Sequence, residues 1–125
     1  MLISRPFWDG IGGLAYAFAK ADQKISREEM RAFAEKIEKS FRHIPTNFPE
    51  RAEAILQLFE TLDYPPEKAY VEALQNLSAV KEEVRRYRFD ILDIFRSVIG
   101  ADGLLHPQEE EFLRRLDADL ARISE

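Results

Sequence analysis

Apolar residues recur at three- and four-residue steps along most of the chain, and no segment alternates apolar with polar positions long enough to make a strand. The pattern predicts an all-α fold of five or more helices. A first helix runs from Phe7 to Ala21 with Leu14, Phe18 and Ala21 on one face. Its glycines at 10, 12 and 13 either delay its start or let another helix approach closely. A second helix begins near Ser26, carries Met30, Phe33 and Ile37 inward, and ends before a proline-containing loop at 43–49. A third, over 50–62, places Ile55, Leu58, Phe59 and Leu62 together and stops at Asp63-Tyr64-Pro65-Pro66. Pro66 suits the first turn of a fourth helix bearing Tyr70, Leu74 and Leu77. The longest periodic segment, 79–101, offers Phe89, Leu92, Phe95 (or Ile91), Val98 and Ile99, and is expected to be the central helix that the others surround. A last helix from Pro107 to about Ile123 turns Phe112, Leu113, Leu116 and Leu120 to the core.

One motif occurs twice. Residues 21–33 read ADQKISREEMRAF and residues 101–113 read ADGLLHPQEEEFL. Ala, Asp and Glu29/Glu109 are shared, while Ile25/Leu105 and Phe33/Leu113 are conservative. Both copies sit where an apolar helix ends, a tight loop follows and a capped helix begins, so an internal two-fold repeat is expected. In the first copy Ser26 suits the N-cap and Glu29 reaches back to the cap's own amide. In the second, Pro107 fits the first helical position, which puts His106 at the cap and Glu109 at the third position. Asp22 and Asp102 can accept loop amides, and Gly103 supplies a positive φ.

The rival to capping is metal binding. Asp22 to Glu29 reproduces the second half of an EF-hand loop, with Asp at the fifth position, an apolar residue at the eighth and Glu at the twelfth. Counting back, the first and third positions fall on Phe18 and Lys20 in one copy and on Val98 and Gly100 in the other, none of which offers a carboxylate. A hard cation needs six to eight oxygens, so Asp22, Glu29, Asp102 and Glu109 with carbonyls and water would hold Ca²⁺ or Mg²⁺ only weakly.

Composition narrows the functional classes. With 125 residues, 46% hydrophobic and 33% charged, the chain is expected to form a single globular domain over 1–125. There is no cysteine, which removes disulfides, thiol catalysis and Cys-based metal sites. The balance of 18 basic against 23 acidic residues, net −5, disfavours nucleic acid or anionic lipid as the main partner. The basic cluster Lys81-Glu82-Glu83-Val84-Arg85-Arg86-Tyr87-Arg88 has its own glutamates at pairing distance and reads first as a solvated helix face, with an anion or partner patch as the alternative. The apolar run from Gly10 to Ala19 is about half of what a bilayer needs, and Arg5-Pro6-Phe7-Trp8-Asp9 does not fit a signal peptide, so a cytoplasmic location without membrane insertion is expected.

Neither a nucleophile elbow, a phosphate loop, a dinucleotide fingerprint nor a zinc-protease motif is present in the sequence. Of the two histidines, His43 falls in the longest loop and His106 at a helix cap, so no enzyme activity is expected. Phe7, Trp8, Phe48 and Tyr64 are expected to lie exposed, where aromatic rings anchor protein interfaces.

The pattern Ala-Asp-Gly-x-aliphatic-x-x-x-Glu, used in full at 101–109 and with Gln23 in place of glycine at 21–29, resembles the TerB-like (tellurite-resistance) family. The segment Arg88-Phe89-Asp90-Ile91-Leu92-Asp93-Ile94-Phe95 followed by Ala101-Asp102-Gly103-Leu104-Leu105-His106-Pro107 especially resembles the amino-terminal domains of DjlA co-chaperones. The resemblance covers about residues 8 to 123 and implies an all-α, compact bundle of about six to seven helices with a role in bacterial stress-response or membrane-associated assemblies. It also implies that the acidic residues Asp22, Glu29, Asp102 and Glu109 hold divalent cations. No counterpart of the membrane segment or J-domain of DjlA is expected within these 125 residues, and His106-Pro107-Gln108 does not reproduce the His-Pro-Asp tripeptide. Co-chaperone activity is therefore not implied. What is expected is a non-catalytic helical module that binds a protein partner, with a weak cation sensor as the alternative.

Overall fold

The computed structural model describes residues 5–21, 35, 39, 49–98 and 107–125. They form five helices: α1 (Arg5–Ala21), α2 (Pro49–Leu62), α3 (Pro66–Ser78), α4 (Lys81–Val98) and α5 (Pro107–Ser124). Among the described residues there is no strand, as the three- and four-residue periodicity requires. The helix expected from Ser26, with Met30, Phe33 and Ile37, lies outside the described residues apart from Glu35 and Lys39, which are helical and exposed. Among the described residues five helices have defined bounds, against the six to seven expected of the whole chain.

The bundle is organised around α1, not around the 79–101 segment. Every residue from Gly10 to Phe18 is buried, and Phe7, Trp8, Ile11, Leu14 and Tyr16 have no exposed surface. A helix apolar on all sides belongs in the middle, and between Arg5 and Lys20 the only charge on α1 is Asp9. The α4 helix, by contrast, carries Glu82, Arg85, Arg86, Asp93 and Arg96 on its outer side and buries Val84, Tyr87, Ile91, Leu92, Ile94 and Phe95 on the other.

Glycines let two helices close on α1. A Cβ at Gly12 would lie 2.5 Å from the Ala52 carbonyl oxygen and 2.8 Å from Ile55 Cβ, so the α2 backbone can sit there only because no side chain is present. On another face a Cβ at Gly10 would meet Leu77 Cγ of α3 at 2.7 Å. Close helix approach, rather than a delayed helix start, is therefore what these glycines provide.

The α2–α3 corner closes by a Schellman motif. Asp63 takes a positive φ of 50°, its amide donates to Glu60 O at 3.2 Å, and the Tyr64 amide donates to Phe59 O at 3.1 Å. The accompanying apolar contact is a stack of Phe59 on Tyr64, with centroids 4.5 Å apart and planes 9° from parallel. Pro65 precedes the helix in an extended conformation, and Pro66 occupies the first turn of α3, where its missing amide proton is not needed.

The α4–α5 hairpin packs on the remaining side through rings. Phe18 meets Phe112 at 5.2 Å and Phe95 at 5.6 Å, while Phe7 meets Tyr87 at 6.0 Å. Such edge and tilted pairs add about 0.5–1.5 kcal/mol each beyond the area they bury.

Six side-chain placements differ from the sequence pattern. Leu58 and Leu62, expected inward, are 49% and 60% exposed, because α2 docks through Ala52, Ile55, Leu56 and Phe59 and turns the rest of its apolar face outward. Phe89, expected in the core, is 73% exposed. Phe7 and Trp8, expected at the surface, are buried against each other at 5.3 Å beneath Tyr87. Tyr64 is half-buried rather than exposed, and Phe48 lies outside the described residues.

Candidate functional site

Of the four acidic residues predicted as ligands, the structure places one. Glu109 stands in the first turn of α5, two residues after Pro107, and is 1% exposed. It is the one buried charged residue among those described, whereas Glu110 and Glu111 on the same turn are exposed. A carboxylate in a first helical turn is favoured by the amide dipoles there, whatever else it contacts. Asp22, Glu29 and Asp102 lie outside the described residues, as do His43 and His106. Among the described residues no group of three or more potential metal ligands gathers.

A polar seam not signalled by the sequence joins α3 to α5. Tyr70 is buried, and its hydroxyl donates to Asp119 Oδ2 at 2.5 Å. The Arg115 guanidinium lies 4.0 Å from the Tyr70 ring centroid and donates to both Glu67 carboxylate oxygens at 2.6 and 2.9 Å. Arg122 donates to the other Asp119 oxygen at 2.9 Å. Burial and the bond to Asp119 push the Tyr70 phenol above its ordinary value, and the Arg115 hydrogen bonds hold the Glu67 carboxyl below its own. Tyr70 is therefore a fixed neutral donor, and the seam ties two helices together. Beside it, Tyr64 donates from its hydroxyl to Glu72, and its carbonyl accepts from Tyr16 at 2.6 Å.

The outer surface presents the remaining apolar side chains. Leu58 and Leu62 stand one turn apart on α2, Val71 lies on α3, and Phe89 stands on α4 with the Arg88 guanidinium 5.4 Å from its ring centroid. A recess of about 370 Å³ at the α4–α5 seam is lined by Arg96, Glu110, Leu113, Arg114 and Asp117. Of its lining residues, Asp117 pairs with Arg88 at 3.3 Å and Arg114 with Glu111 at 3.0 Å. Sequence periodicity missed Phe89 because an aromatic ring at helical spacing reads as core. The surrounding Arg85, Arg86 and Arg88 were the available signal.

No helix among the described residues is long and apolar enough to cross a membrane. None of the curated proteins or solved structures compared with the chain matches it. The sequence model described as tellurite resistance protein TerB matches residues 10–125, from the glycine-lined central helix to the end of α5. By that match across nearly its whole length, the chain belongs to the tellurite-resistance TerB family.

Proposed function

We propose that this TerB-family chain is a non-catalytic helical module that binds a protein partner in a bacterial stress-response or membrane-associated assembly, in the manner of the DjlA amino-terminal domain, and that it works in the cytoplasm. The observation that carries this reading is the set of large apolar side chains left outside a filled core. Leu58, Leu62 and Phe89 are each about half or more exposed, while the neighbouring Leu56, Ile91 and Leu92 are almost fully buried. Exposed apolar side chains held on rigid helices suit a protein interface. The net charge of −5 makes nucleic acid an unfavourable partner. The test is a photo-crosslinking amino acid at position 62 or 89 in the native host. A discrete, reproducible adduct that is missing from the same label at exposed Glu82 supports the reading, and uniform background at all three positions refutes it.

A second reading, favoured by the burial of Glu109, is a weak Ca²⁺ or Mg²⁺ site completed by Asp22, Glu29 and Asp102. A cation bound only by the folded state raises stability by about 2.7 kcal/mol at one hundred times its dissociation constant. An unmoved melting temperature in millimolar Ca²⁺ and Mg²⁺ would dispose of it.

A further inference from the structure

Successive residues of an α-helix turn by about 100°, so Phe89 lies on the opposite side of α4 from Ile91 and Val84, which have no exposed surface. Glu82, Arg85, Arg86, Asp93 and Arg96 share that outward side and are all exposed. Phe89 is thus the centre of a charged outer stripe, and at 73% it is the most exposed large apolar side chain among the described residues. Two of the cations around it are uncommitted. Arg85 is engaged with Glu82 and with the Ser124 carbonyl, and Arg88 with Asp117, but neither Arg86 nor Arg96 forms an ion pair with any described residue. Arg96 stands two turns beyond Phe89 and also lines the recess at the α4–α5 seam, which has Leu113 in its wall. The stripe therefore offers an apolar anchor with, on both sides of it, positive charge that no described carboxylate pairs.

We propose that this stripe docks an amphipathic helix of a partner protein whose apolar face covers Phe89 and whose flanking Asp or Glu residues meet Arg86 and Arg96. The inference rests on the interaction-module reading and names the partner's chemistry. A partner helix is favoured over an anionic membrane because Glu82, Asp93, Glu110 and Asp117 are interspersed with the arginines. A bilayer surface would repel those carboxylates, whereas a peptide can place a base or an apolar residue opposite each.

The test uses the full chain and two helical peptides of about twenty residues with the same apolar stripe, one rimmed by Asp and Glu, the other by Lys and Arg. Binding is followed by fluorescence anisotropy and by amide chemical shifts. The acidic peptide is expected to bind with shifts centred on Arg86, Phe89 and Arg96, and to weaken with added salt. Phe89→Ala should weaken it about tenfold, and the double reversal Arg86→Glu/Arg96→Glu should switch the preference to the basic peptide. Because these side chains are exposed, the variants are expected to keep the wild-type melting temperature. Equal binding of both peptides, insensitivity to the substitutions, displacement by anionic vesicles, or self-association of the chain through Phe89 would each overturn the proposal. Acidic-peptide binding at Leu58 and Leu62 would overturn it while leaving the interaction module standing. No binding at either face, together with no discrete crosslink at positions 62 and 89, would remove both.

Discussion

The hydroxyl of Tyr70 on α3 donates to Asp119 Oδ2 on α5 at 2.5 Å across 49 positions of sequence, so this bond, beside the Arg115–Glu67 pair, ties two helices that are distant along the chain. Tyr70→Phe keeps the ring that meets Phe112 at 5.5 Å but leaves Asp119 without that donor. The expected loss is about 1–2 kcal/mol at neutral pH, read from urea denaturation.

The same bond sets an alkaline limit. The Tyr70 phenol is raised in the folded state by burial and by Asp119, so its contribution is fully present below the ordinary value of 10.0 and is lost as pH rises beyond it. Tyr16 and Tyr64 are raised as well, by burial and by the bond to Glu72 respectively, and add to the same limb. Melting temperatures measured from about pH 9 to 11.5 should fall for the wild type and fall less steeply for Tyr70→Phe. Parallel curves would show that Tyr70 is not a source of the dependence.

Gly12 and Gly10 make a paired test of how α1 is packed. Alanine at either position gains up to about 1 kcal/mol of helix propensity, but at Gly12 the new methyl would collide with the Ala52 carbonyl oxygen at 2.5 Å, which is backbone. At Gly10 the nearest atoms would be Leu77 Cγ and Cδ2 at 2.7 and 2.8 Å, side chain rather than backbone, with the Ala73 carbonyl oxygen farther off at 3.2 Å. Gly12→Ala should therefore lose about 1–3 kcal/mol in thermal or urea unfolding, and Gly10→Ala distinctly less.

What the sequence revealed followed from local rules. Pro66 opened α3, Asp63-Tyr64 ended α2, and Phe112, Leu116 and Leu120 were buried where a period of three to four placed them. Those rules act over one or two turns. They could not decide which of Tyr87, Phe89, Ile91, Leu92, Ile94 and Phe95 would be left outside, because these apolar residues cover most of the α4 circumference and the neighbouring helices make the choice. Nor could they show Tyr70 beside Asp119, or that Phe7 and Trp8 would slide under Tyr87, since those pairings depend on how distant helices cross. Of the predicted acidic site, the burial of Glu109 is consistent with its third-position placement, where a side chain turns back toward the cap.

The left-handed residue at the α2–α3 corner is an aspartate where glycine is the least strained choice. Asp63→Gly removes the Cβ strain at φ 50° while adding freedom to the unfolded chain, so the net gain is small, about 0.5 kcal/mol. A β-branched residue there should cost more than that. Asp63→Val is expected to lower the melting temperature and Asp63→Gly to raise it by about 2 °C, both checked by calorimetry.

Glu109 separates the capping account from the cation account by how well glutamine replaces it. In a reciprocal cap the side chain needs only an oxygen that accepts an amide proton, which glutamine supplies and alanine does not. Glu109→Ala should then lose about 1–2 kcal/mol and Glu109→Gln recover most of it, with no dependence on added cation. A cation ligand needs the negative charge, so in millimolar Ca²⁺ the wild type would gain melting temperature while both variants stayed unmoved. Recovery by glutamine in metal-free buffer, with a wild-type melting temperature indifferent to Ca²⁺, would assign the buried carboxylate to the helix and withdraw it from the ligand set.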